Sequence, residues 1–94
     1  MEITDVVWLE SIVEKLEHKH SVQPSEVIEV MEGDPRYRFV ERGHRIGENV
    51  YVALGRSGSG RYLSVFFIYR LDRQAVILSA RDMTQAERRR YERK

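Results

Sequence analysis

Three apolar runs lie between Val50 and Ser79, and the connections between them are short. Val50-Tyr51-Val52-Ala53-Leu54 is continuously apolar, as in a strand buried on both faces. The stretch from Tyr62 to Tyr69 is the longest, and Ala75-Val76-Ile77-Leu78-Ser79 follows it. Gly55 to Gly60 reads as a hairpin loop and Leu71-Asp72-Arg73 as a turn. Such short links favour an antiparallel meander, because parallel neighbours need a long crossover. Upstream, Arg36 to Glu41 roughly alternates apolar and polar residues, which adds a half-exposed strand, and Arg42 to Gly47 is a loop.

The remaining segments read as helices. Val6, Leu9, Val13 and Leu16 recur at helical spacing with Ile12 on the same side, predicting an amphipathic helix over residues 5–20. An extended start at Glu2-Ile3 precedes it, and Thr4 or Asp5 is the expected cap. Pro24 suits the first position of a second helix with Val27, Ile28 and Met31 as its stripe, stopped by Gly33-Asp34-Pro35. Thr84 and Glu87 have capping-box spacing for a last, basic helix running to Arg90 or Tyr91. The expected class is therefore α+β: two N-terminal helices, an antiparallel sheet of about four strands, and one C-terminal helix. Three short helices leave part of such a sheet for a partner, unless the final helix closes it.

At 94 residues the chain suits one domain, 1–94. It has no cysteine, which excludes disulfides, thiolate zinc sites and cysteine nucleophiles. No apolar stretch approaches the ~20 residues of a membrane span. Glu2 and Asp5 precede any basic residue, unlike a signal peptide. A soluble, cytoplasmic protein with no membrane contact is expected. Charge is unevenly placed. Residues 1–55 hold 6 Lys+Arg against 11 Asp+Glu, net −5, and residues 56–94 hold 10 against 4, net +6. Thirteen of the 16 cations are arginine, whose planar fork fits phosphate and carboxylate. One fold with an acidic and a basic side is expected. The basic side suits nucleic acid or an acidic protein, or is simply solvated.

Candidate chemistry is sparse. His18 and His20 stand two apart on a helix and do not face each other, so they make poor joint metal ligands. No metal or cofactor is expected. His44, in a loop with Arg42 and Arg45, is either a general acid or base or a solvated side chain. The loop Gly55 to Arg61 has three glycines and two flanking arginines, and reads as a plain hairpin turn or as a phosphate nest. Arg81 ends a strand just before a helix start, where it binds an anion or pairs with Asp82 or Glu87. Arg88-Arg89-Arg90 with Tyr91 grips a phosphate backbone or is a solvated helix face.

Taken in order, three motifs resemble the BrnT family of bacterial toxins. They are Trp8 with Lys19-His20-Ser21-Val22, then Ala53-Leu54-Gly55-Arg56-Ser57, then Leu78-Ser79-Ala80-Arg81 followed by Thr84, Glu87-Arg88-Arg89 and Tyr91. The resemblance covers nearly the whole chain. It implies a RelE-like fold and a toxin that cleaves RNA and inhibits translation. It also implies a cognate antitoxin partner, with operator DNA bound only through the toxin–antitoxin complex. The chain departs from the family at Leu9, Ile12, Leu16 and Ser21. Two family arginines are replaced by Val50 and Val76, which removes two cations from the sheet.

Metal-independent cleavage by 2′-hydroxyl attack needs a base, an acid and cations for the phosphorane. Arg56, Arg61 and Arg81 are the expected charge stabilisers, and His44, Glu48 and Tyr91 the candidates for proton transfer. Lys19, Arg70, Arg88 and Arg89 are expected to contact RNA. The alternative is a non-catalytic interaction protein on the same fold, which Val50 and Val76 favour. Direct DNA binding by the basic helix ranks last, because no helix-turn-helix partner accompanies it.

Overall fold

The computed structural model describes residues 1–93. In chain order it holds β1 (Asp5–Val7), α1 (Glu10–Lys15) with a wide π-helical turn over Leu16–His20, and α2 (Pro24–Glu32). There follow β2 (Arg36–Glu41), β3 (Asn49–Arg56), β4 (Tyr62–Tyr69), β5 (Gln74–Asp82) and α3 (Gln85–Glu92). One mixed sheet runs in the order β1-β5-β4-β3-β2. The β2-to-β5 meander is antiparallel throughout, and β1 joins β5 in parallel.

The sheet therefore has five strands, where the sequence suggested about four. The extra strand comes from the start of the segment expected to be one helix over 5–20. Val6 and Val7 pair with Ala75 and Val76, and Thr4 N–H donates to the Arg73 carbonyl. Helix begins only after Leu9, with no side-chain cap, so neither Thr4 nor Asp5 caps it. It ends at Ser21 in the left-handed region, where Val22 N–H reaches back to the Leu16 carbonyl. Elsewhere the expected elements are present. Pro24 opens α2, Gly33 to Pro35 separates it from β2, and Thr84 and Glu87 form the reciprocal capping box of α3.

Alternation along β4 separates two faces. Leu63, Val65 and Phe67 are fully buried against Leu16, Val22, Val27 and Val30 of the first two helices. Tyr62, Ser64, Phe66 and Ile68 point the other way, where Ser64 donates to Glu87 of α3. The acidic α1–α2 segment thus covers one face and the basic α3 one end of the other. A bulge at Leu78, between the pairs Phe66–Ser79 and Phe67–Ile77, keeps both ends of β5 in step with β4.

Candidate nucleic-acid interface

The β3–β4 hairpin sets Arg56 directly opposite Tyr62. The Arg56 guanidinium lies 4.8 Å from the centre of the Tyr62 ring. From α3, the Arg88 guanidinium lies 3.9 Å from the same centre, and Tyr91 meets that ring edge-on at 6.0 Å. One aromatic ring thus gathers two cations and a second phenol. Arg88 also pairs with Glu92 at 2.9 Å, whereas Arg56 forms no ion pair among the described residues. Arg89 is exposed on the same helix, beside Arg88 in a shallow groove.

Beside this cluster lies a second, closed network. Arg81 holds Glu87 with two parallel bonds of 2.6 and 2.9 Å, and its guanidinium covers the Phe66 ring at 5.1 Å. Ser64 Oγ and Thr84 N–H both donate to the same carboxylate at 2.9 Å. Burial pushes the Glu87 carboxyl up, but bonds from Arg81, Thr84 and Ser64 outweigh it and hold the carboxyl at about 2. The same pair raises the Arg81 guanidinium against the opposing effect of burial. Of the two readings of Arg81, the geometry shows the ion pair, and with Glu87 rather than Asp82.

Arg61 lies on the opposite face. Its Nε and Nη2 bind Asp82 at 2.7 and 3.2 Å, while Nη1 and Nη2 bind the carbonyls of Ser21 and His20 at 2.7 and 3.0 Å. Glu26 adds a contact at 3.4 Å. Arg61 therefore ties the hairpin to the end of β5 and to the turn before α2, and its bond lowers the Asp82 carboxyl. In the hairpin loop Gly58 N–H donates to Glu29 at 3.0 Å. A carboxylate of the chain itself occupies that amide, which supports the plain-turn reading.

The expected site residues thus do not form one site. Arg56, Arg88 and Tyr91 come together around Tyr62, with Arg81 beside them in its own ion pair, and Arg89 lies beside Arg88 in the groove with Gln85 and Glu92. Lys19 is exposed in the turn Leu16–His20, on the acidic side. His44, Glu48 and Arg70 lie at the other end of the sheet, separated from Arg56 by the length of β3, roughly 23 Å. Sequence reasoning missed Tyr62 as the centre of the cluster. Arg56 and Tyr62 meet through the β3–β4 register, which residue spacing alone does not fix.

The rest of this sheet face is open. Val7, Val76, Ile68 and Val50 form one cross-strand row over four strands, each half-buried. Val50 and Val76 are thus both neighbours of Ile68. Among the described residues no group of three His, Asp or Glu side chains converges to hold a metal ion, and no helix is long and apolar enough to cross a membrane.

A family model described as the ribonuclease toxin, BrnT, of type II toxin-antitoxin systems matches residues 8–87. No curated protein matches the chain.

Proposed function

The chain belongs to the BrnT family of type II ribonuclease toxins, and from that membership we propose that it cleaves RNA without a metal, at the cluster around Tyr62, and thereby inhibits translation. The observation that carries this reading is Tyr62 flanked by Arg56 and Arg88, with Arg56 free of any carboxylate among the described residues. A base packs against the Tyr62–Tyr91 aromatic pair, and the two guanidinium groups meet the adjacent phosphate. The 2′-oxygen attacks phosphorus, losing its proton to water. Arg56 and Arg88 stabilise the charge that gathers on the phosphorane. The P–O5′ bond breaks, and the Tyr91 phenol protonates the leaving oxygen and is reprotonated by water. Arg81 contacts Phe66 and Glu87, and Glu87 anchors α3, so this pair positions the helix that carries Arg88 and Tyr91. The RelE-like fold belongs to the same proposal.

Type II membership implies an antitoxin partner. The toxin acts in the cytoplasm, and operator DNA is reached only through the antitoxin complex. Analysis of product ends in EDTA tests the chemistry. A 2′,3′-cyclic phosphate and a 5′-hydroxyl support it, and 5′-phosphate ends overturn it.

A second reading has its own observation. The row Val7–Val76–Ile68–Val50 is apolar where the family resemblance leads to cations, and such a face suits protein better than RNA. On that reading the chain is a non-catalytic interaction protein that binds its antitoxin through the open face.

A further inference from the structure

At the end of the sheet remote from Tyr62, the loop after β2 and the turn after β4 enclose a cleft of about 560 Å³. It opens on the side of the sheet that carries α1 and α2. Tyr51 and Tyr69 line it from β3 and β4, their rings 6.0 Å apart and nearly perpendicular. Arg42, Arg45, Arg70 and Arg73 line it too, and among the described residues no carboxylate does. Arg73 is paired with Glu2 at 3.1 Å and Arg70 lies 4.0 Å from Asp72, while Arg42 and Arg45 form no ion pair among the described residues. His44 lines it as well, and so do Ile46 and Leu71, at 87% and 77% exposure the two most exposed large apolar side chains among the described residues.

This cleft is built rather than left by a slack loop. Gly43 N–H donates to the Asn49 side chain at 3.1 Å, and Glu48 N–H to the Arg45 carbonyl at 3.2 Å. Any side chain at Gly43 would strike the Glu48 carbonyl, 2.2 Å from the position of a Cβ. Gly47 has φ +82 and sits against Leu71, 2.9 Å from where its Cβ would stand. The loop is therefore closed on the turn at a position that suits only glycine.

We propose that this cleft binds a nucleotide, with the base against the tyrosines and apolar residues and the phosphate on Arg42 and Arg45. Arginine supplies a fork for phosphate oxygens, and tyrosine gives a stacking face to any base. Tyr51 stacks on Phe67 and meets Tyr69 edge-on, which holds both rings in place at the cleft wall. An acidic peptide would use the arginines but leave the exposed apolar side chains of Ile46 and Leu71 without a partner. The nucleotide is either free or part of an RNA strand, and only the second source rests on the ribonuclease reading above.

Titration followed by amide and tyrosine ring NMR shifts tests the proposal. Saturable shifts at Gly43, Gly47, Tyr51 and Tyr69 are expected with 5′-AMP, and adenosine or orthophosphate alone should bind at least about tenfold more weakly. The double variant Arg42→Ala/Arg45→Ala should lose about tenfold or more in AMP affinity while the signals of the helices and strands stay in place. Ile46→Ser, which removes no charge, should weaken AMP and leave orthophosphate unchanged. A 2′-O-methyl hexaadenylate, which cannot be cleaved by 2′-attack, separates the sources. Tighter binding than AMP points to a strand, and equal binding to a free nucleotide. The proposal is overturned if neither ligand shifts these residues, if the double variant binds as well as the parent, or if hexaglutamate matches AMP. Because the readout is binding, failure here leaves RNA cleavage at Tyr62 untouched, and absence of cleavage leaves the cleft untouched.

Discussion

The Arg88 guanidinium stands 3.9 Å from the centre of the Tyr62 ring, which ties the C-terminal helix to the first residue of β4. The same ring takes Arg56 at 4.8 Å, so a single aromatic side chain sets the spacing of two cations. Tyr62→Ala should therefore release both arginines and lose a stacking surface worth about 1–3 kcal/mol per base. RNA cleavage should fall by about tenfold or more, and Tyr62→Phe should retain it. Cleavage rates with short single-stranded RNA check this, and equal rates for alanine and phenylalanine would remove Tyr62 from the site.

Stability should show a carboxylate held in its ionised form. The Glu87 carboxyl lies at about 2 in the fold against 4.5 when free. A depressed carboxyl stabilises the fold above its unfolded value and loses that contribution as pH falls through the folded one. Melting temperature should thus decline between pH ~4.5 and pH ~2 more steeply for the parent than for Glu87→Gln. At neutral pH, Glu87→Gln should cost about 2 kcal/mol, because the half-buried Arg81 loses a charged partner. Thermal denaturation across that pH range measures both effects, and an identical acid limb in parent and variant would count against the assignment.

Arg61 should behave as a structural residue. It bridges Asp82, Glu26 and two carbonyls of the turn before α2. Arg61→Ala should cost about 2–3 kcal/mol, and Arg61→Lys should recover little, because an ammonium cannot reproduce the fork. Chemical denaturation gives the comparison. Full recovery by lysine would reduce Arg61 to a simple surface charge.

The open sheet face separates the two functional readings. Val50 and Val76 flank Ile68 in one cross-strand row. Val50→Arg/Val76→Arg places two cations on that face. On the ribonuclease reading, RNA affinity should rise and its salt dependence steepen by about 1–2 units of log–log slope. Filter binding at several salt concentrations is the measurement. No change in slope would show that RNA does not cross this face, and would favour a docked protein there.

Much of the fold was legible in the sequence because its signals are local. The continuous run Val50–Leu54, the alternation of Arg36 to Glu41 and the Thr84/Glu87 cap each declare an element without its partners. β1 was not legible. Val6 fits the helical spacing of Leu9, Val13 and Leu16, and the strand it enters pairs with residues nearly 70 positions away. Leu9 is 46% exposed, so part of that apparent stripe never packs. The candidate site was legible only in its residue types. Thirteen arginines among 94 residues offer many groupings, and sequence order does not say which carboxylate each will meet. Arg81 and Arg61 found Glu87 and Asp82, Arg56 found an aromatic ring, and His44 and Arg70 were carried to the far end of β3.

RNA cleavage at the Tyr62 cluster is tested most directly by the cleavage rate of purified Arg56→Ala beside the parent in EDTA. Arg56 is exposed and has no ion pair among the described residues, so its removal should leave the melting temperature nearly unchanged. The parent should cleave single-stranded RNA in EDTA, and Arg56→Ala should be slower by about a hundredfold to a thousandfold. A folded parent that cleaves no RNA, or an Arg56→Ala protein as fast as the parent, would contradict cleavage at this cluster.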